Sequence, residues 1–221
     1  MIRTEHLVKQ YEVGGSAIRA LDDVRLEVKE GEMVAVTGSS GSGKSTLMNI
    51  LGCLDRPDSG SYFLEDEDVA KLSKNHLAEI RNRRIGFIFQ TFNLLPRMTA
   101  LENVELPLLY AGRHEAKNKA EEALRIVGLA DRMYHEPNQL SGGQRQRVSV
   151  ARAIVTNPAI ILADEPTGNL DSKTSDELMV FLEKLNAEGR TIIIVTHEPD
   201  VARHCPRQIH MKDGRIINGQ M

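Results

Sequence analysis

Two glycine-rich segments and one acidic pair are where side-chain type and spacing in this chain can do chemistry. Gly38-Ser39-Ser40-Gly41-Ser42-Gly43-Lys44-Ser45 matches the phosphate-binding loop pattern in full. Its glycines let backbone N–H groups turn inward around phosphate oxygens. A helix opening behind it adds the positive end of its dipole. Lys44 is spaced to reach β- and γ-phosphates and the Ser45 hydroxyl to ligate Mg2+, with Thr46 continuing the same cradle. The implied ligand is a nucleoside triphosphate. Farther on, the apolar run Ile160 to Ala163 ends on Asp164 and Glu165. Ligands of open α/β sheets sit at such strand ends. Asp164 suits Mg2+, usually through water, and Glu165 suits the water attacking a γ-phosphate. The remaining segment, Leu140-Ser141-Gly142-Gly143-Gln144, has the makings of a second anion cradle. Ser141 offers a hydroxyl, Gly142 and Gly143 allow close backbone approach, and a helix begins near Gln144. Beside a complete phosphate loop, it has no use on the same nucleotide in the same subunit.

These residues need elements to place them. Met33 to Thr37 reads as a buried strand delivering the first loop. Ser45 to Leu54 reads as the helix behind it, with Leu47, Ile50, Leu51 and Leu54 on one face. Ile85 to Phe89, Ile160 to Ala163 and Thr191 to Val195 read as further strands. Ile2 to Tyr11 and Ala17 to Val28 predict two more, the latter from alternating Val24, Leu26 and Val28. Pro57 to Gly60 predicts a turn, and Lys212-Asp213-Gly214 a terminal hairpin. Thr99 to Glu102 spells a capping box. His114 to Val127 carries Ala116, Ala120, Ala123, Leu124 and Val127 at helical spacing, and Leu178, Phe181, Leu182 and Leu185 mark another amphipathic helix. Strands alternating with helices predict an α/β fold with a mainly parallel central sheet. A mainly helical subdomain over about 91–156 interrupts it, leaving about 1–90 and 157–221 for the core.

Composition narrows the classes. A chain of 221 residues buries one good core. A net charge of −3 and a pI near 6.2 argue against a protein whose main work is gripping nucleic acid. The short basic run Arg81, Arg83 and Arg84 reads as a solvated face. Cys53 and Cys205 have no metal or redox spacing and read as small buried hydrophobes. The N-terminus has no apolar signal region, and no apolar run spans a bilayer. The expectation is a soluble, cytoplasmic chain that works at a membrane only through a partner.

GSSGSGKS, LSGGQ and IILADE, in this order and spacing, resemble the ATP-binding cassette (ABC) family over essentially the whole chain. The resemblance implies a P-loop NTPase core with an N-terminal antiparallel β-subdomain and an inserted α-helical subdomain carrying LSGGQ. It implies ATP and Mg2+ as ligands. Lys44, Glu165 and His197 would be catalytic, with His197 the switch histidine on the γ-phosphate. Tyr11 would lie against adenine. Gln90 would contribute to Mg2+ and sense the γ-phosphate, and Asp171 would belong to the loop used across a dimer interface. The family is a head-to-tail homodimer in which the phosphate loop of one subunit and Ser141 to Gln144 of the other enclose each ATP. Gly52 to Gly60, Asn93 to Leu109 and Leu162 to Ser172 look most like the branch of macrolide-export, lipoprotein-release and antimicrobial-peptide-resistance ATPases. That implies an integral-membrane permease as partner, contacted through Thr91 to Leu109, and a place on the cytoplasmic face of the membrane. Other members of the family are soluble ATPases of iron–sulfur assembly or nucleic-acid maintenance, or nucleotide-dependent scaffolds. The acidic pI and absence of cysteine clusters disfavour the first, and an intact Glu165 disfavours the second.

Overall fold

A computed structural model describes residues 1–218. In chain order the elements are β1 (Ile2–Val13), β2 (Ser16–Val28), β3 (Met33–Thr37), α1 (Lys44–Leu51), β4 (Ser59–Leu64), β5 (Glu67–Asp68), α2 (Lys74–Arg84), β6 (Ile85–Phe89), α3 (Ala100–Tyr110), α4 (Ala116–Ile126), α5 (Gly142–Ile154), β7 (Ile160–Asp164), α6 (Ser172–Ala187), β8 (Thr191–Val195), α7 (Pro199–Arg203), β9 (Arg207–Lys212) and β10 (Arg215–Asn218). The central sheet has the order β10-β9-β3-β8-β7-β6. All its neighbours run parallel except β10, which pairs antiparallel with β9. A separate antiparallel sheet has the order β2-β1-β4-β5.

Alternation along the central strands divides the core in two. Val34, Val36, Leu162, Ile193 and Val195 pack with α1 and the N-terminal sheet. Met33, Ala35, Ile161, Ala163, Ile192 and Ile194 pack with α3 to α6. Burial on both faces is why these strands read as continuous apolar runs. The expected α/β architecture, a mainly parallel core with an antiparallel N-terminal sheet, forms. The capping box at α3 forms too, Thr99 Oγ1 accepting from Glu102 N at 3.2 Å and Glu102 accepting from Thr99 N at 2.7 Å. Asp213 and Gly214 turn the last hairpin with φ of 48° and 77°, the signs a type I′ turn needs.

Some details differ from expectation. Helix α1 stops at Leu51 because the chain turns at Gly52 and Cys53, the latter with a φ of 54°, so Leu54 is turned outward and 48% exposed. Strand β4 starts inside the predicted Pro57 to Gly60 turn, and its buried Tyr62 donates to Leu51 O at 2.7 Å. Helix α2 carries no sequence signal, since it buries only Leu77 and Ile80 and shows no apolar stripe. Arg83 and Arg84 lie on the expected solvated face in exposed pairs, and Arg81 turns inward. Arg81 donates to Cys53 O at 2.8 Å, Arg83 pairs with Glu79 at 3.0 Å and Arg84 with Glu65 at 2.7 Å. Both cysteines are free and buried, and burial pushes the Cys53 thiol up to about 11 and Cys205 to about 12, so neither is a nucleophile at neutral pH. Among the described residues no helix is long and apolar enough to cross a membrane.

Candidate functional site

Strand register brings the chemistry to one edge. Val36 pairs with Val195, Asp164 with Val195, and Phe89 with Asp164. The residues that follow are Gly38 after β3, Thr196 and His197 after β8, Glu165 after β7 and Gln90 after β6. They leave the C-terminal ends of four adjacent parallel strands, where open α/β sheets hold their ligands.

The glycine loop is pressed between β2 and the last hairpin. A Cβ at Gly43, whose φ is 101°, would lie 2.4 Å from Ala20 O, and Gly214 N donates to Ser42 O at 3.0 Å. Only glycine satisfies both the left-handed backbone and the close approach. Lys44 is buried and its Nζ donates to Gly38 O at 2.8 Å and Ser39 O at 2.9 Å, so the ammonium sits inside the loop. Ser42 Oγ is buried without a hydrogen-bond partner. A loop that presents an ammonium, a spare hydroxyl and a helix N-terminus fits a phosphate chain.

Asp164 has its pKa raised by burial and by the neighbouring charge of Glu165, while Lys44 opposes the shift. A cation is the charge that position lacks. Among the described residues no cluster of three metal-ligating side chains exists. Ser45 and Asp164 offer a hydroxyl and a carboxylate, the hard oxygen donors that Mg2+ takes one or two of, with the rest from phosphate and water.

Glu165 sits in a left-handed backbone, φ 44°, with its N–H donating to Val195 O at 2.8 Å. Its carboxylate accepts from Thr196 Oγ1 at 3.0 Å and His197 N at 3.0 Å, and lies 2.7 Å from His197 Nδ1. The hydrogen bond and charge of Glu165 raise the His197 pKa above an ordinary 6.5. The His197 ring is otherwise open to solvent, so screening weakens the pair. Because the folded-state pKa is the higher, the pair's contribution to stability is full below about 6.5 and fades as pH rises through the folded value. An NMR titration of the nucleotide-free protein should place the His197 midpoint above 6.5, and Glu165→Gln should bring it down. A midpoint unmoved by the substitution would show that the pair does not form.

Several residues not singled out in the sequence hold these groups. Thr196, buried, fixes Glu165. A Cβ at Gly168 would come 2.6 Å from Gln90 Nε2, so that glycine leaves the Gln90 amide its place. Asn169 Nδ2 donates to Gln90 O at 2.8 Å, and Thr167 Oγ1 donates to Glu198 at 3.2 Å. Thr196 signals itself only as the residue between a buried strand and His197; Thr167, Gly168 and Asn169 lie in the stretch Leu162 to Ser172 that carries the resemblance, but nothing local marks their contacts. Tyr11 is 38% exposed, and its hydroxyl donates to Asp55 at 2.9 Å, which holds the ring.

The Ser141 to Gln144 segment lies elsewhere. Ser141 caps α5: its Oγ accepts from Gln144 N at 3.2 Å, and Gln144 Oε1 accepts from Ser141 N at 2.9 Å. Its neighbours belong to the start of α6. A Cβ at Gly143 would lie 2.7 Å from Thr174 Cγ2, whereas one at Gly142 would meet nothing nearer than Asn169 O at 3.6 Å. Gly143 is thus required by this chain's own packing, and Gly142 is not. Asp171 caps α6, accepting from Thr174 N at 3.0 Å and Thr174 Oγ1 at 2.7 Å, which lowers its pKa. Helix α5 packs on β6. Two strands separate β6 from β3, about 14 Å across the sheet from the strand that carries the phosphate loop.

With this geometry in view, the likeness to known proteins is direct. The ABC transporter family model matches residues 21–168. The chain is 53% identical over 219 residues to the ABC transporter ATP-binding protein YknY of Bacillus subtilis, covering 98% of this chain and 95% of that protein. It is 52% identical over 219 residues to the macrolide export ATP-binding/permease protein MacB 1/2 of Paracoccus denitrificans, covering 98% of this chain and 33% of that one. The dimeric, post-hydrolysis ATP-binding cassette MJ0796 bound to ADP and Pi superposes with a TM-score of 0.93 at 47% identity, covering 100% of this chain and 98% of that one. The chain belongs to the ABC transporter family as one of its ATP-binding, ATP-hydrolysing domains.

Proposed function

We propose that two copies of this chain close head to tail around two ATP molecules with Mg2+, and that hydrolysis drives a membrane permease, for export or for extraction of lipoproteins. The observation that carries this reading is a second capped helix N-terminus in a protomer that already has a complete phosphate loop, with Gly142 left small for no reason internal to the described chain. The dimeric state of MJ0796 and the fusion to a permease named in the MacB relative support it.

In each composite site Gly38 to Thr46 cradle the phosphates. Lys44 turns from the carbonyls of Gly38 and Ser39 to the β- and γ-oxygens. Ser45, Asp164 and Gln90 would hold Mg2+, which would supply positive charge against that developing on the phosphate oxygens. Glu165 accepts the proton of the attacking water. His197 contacts the γ-phosphate and Tyr11 lies against adenine. Ser141, Gly142, Gly143 and Gln144 meet the ATP of the other copy, and Asp171 acts across the interface. Residues 91–156 form the helical subdomain on the core of 1–90 and 157–221.

A groove of about 800 Å³ between α2, β6, α3 and α5 suits the permease. Leu54 and Tyr110 line it, 48% and 79% exposed, and Leu109 beside them is 54% exposed. Docking there places the chain on the cytoplasmic face of the membrane. Tagged protein added to detergent-solubilised membranes of its source cells should retain a permease, and Leu109→Glu with Tyr110→Glu should release it. Recovery of soluble proteins or nucleic acid alone would favour the soluble ATPases of the family.

A further inference from the structure

The backbone just after Gln90 takes a shape its residues do not favour. Phe92 and Asn93 both adopt left-handed φ, 61° and 48°. Asparagine tolerates that region; for phenylalanine it costs energy and persists only where the surroundings enforce it. Helix α5 supplies the enforcement. Arg152 donates through one guanidinium nitrogen to Phe92 O at 2.7 Å and through the other to Asn93 O at 2.6 Å. Two helical turns earlier, and so on the same face, Arg145 lies over the Phe92 ring, 5.1 Å from its centroid. The planar fork of an arginine spans two consecutive carbonyls, which a single ammonium does not. The same helix starts at the Ser141 cap. The Ser141 to Gln144 signature segment and the turn after Gln90 are therefore both fixed to one rigid element, α5.

We infer that Arg152 is a positioning residue for hydrolysis: by clamping the Phe92–Asn93 turn to the signature helix, it sets Gln90 and makes its placement follow α5. Arg152 acts through Gln90, its guanidinium nitrogens being taken up by the two backbone carbonyls. The inference rests on the nucleotide-side reading of Gln90, and a mutant cycle separates the two.

Turnover is measured with the full chain for Arg152→Gln, Gln90→Ala and the double variant. Arg152→Gln should lower kcat about tenfold with KM for ATP within about twofold, the pattern of a transition-state defect. In the Gln90→Ala background the same change should cost less than about twofold, since residues acting through one another are not additive. Amide exchange at Phe92 and Asn93 should quicken in Arg152→Gln. Losses that multiply in the double variant, or unchanged exchange, would overturn the role of Arg152. An unaffected Gln90→Ala enzyme would overturn the reading of Gln90 and this inference with it. Should Arg152→Gln fail to fold, Arg152→Lys keeps the charge and stem, and its smaller loss of about threefold should vanish likewise in the Gln90→Ala background.

Discussion

Glu165→Gln should slow ATP hydrolysis by about 10²–10⁴-fold while leaving ATP bound, the range expected when a positioned general base is removed. Shape is preserved, but chemistry is not. The carboxylate accepts from Thr196 Oγ1 and His197 N and faces His197 Nδ1, so it is oriented from three directions. Glutamine keeps one accepting oxygen for those donors and has no lone pair of sufficient basicity for a water proton. With hydrolysis stalled, two ATP molecules stay between two protomers and the dimer persists. Phosphate release and nucleotide retention measure this directly. A variant that is monomeric and still hydrolyses ATP rapidly would refute both the role of Glu165 and the shared site.

Lys44→Ala should reduce ATP affinity or turnover by at least about 10²-fold, since hydrogen bonds to a charged group contribute roughly 1.5–3 kcal/mol each. Nζ is held within hydrogen-bond reach of two loop carbonyls, in a buried position inside the phosphate cradle. Its removal takes away the cation and the brace at once. Titration with a fluorescent nucleotide gives the affinity, and a thermal melt checks that the fold survives. Full activity in Lys44→Ala would sink the phosphate-loop assignment.

What the sequence made legible is the chemistry carried by contiguous residues. Loop, acidic pair and signature each occupy one short stretch, and the strands that deliver them are apolar runs buried on both faces. The Asp213-Gly214 turn and the Thr99 capping box declare themselves because backbone geometry selects their residue types. Helix α2 stayed hidden because two buried residues in eleven make no stripe. Strand β4 is obscured by Pro57 just before it and Gly60 inside it. Contacts between residues far apart in the chain were beyond reach: Thr196 on Glu165, Gly168 beside Gln90, Arg152 on the turn after it. The S-x-x-Q spacing of Ser141 and Gln144 is itself a capping-box signature, so those side chains serve their own helix as well as any phosphate placed before it.

The central claim is that the signature segment completes a site only in a second copy of the chain. Sedimentation of Glu165→Gln with ATP and Mg2+, with and without Ser141→Arg, tests it. Glu165→Gln alone should sediment as a dimer. The Ser141→Arg double variant should bind ATP with unchanged monomer affinity, because its own phosphate loop is intact, yet sediment as a monomer. A double variant that still dimerises with ATP would contradict the composite site.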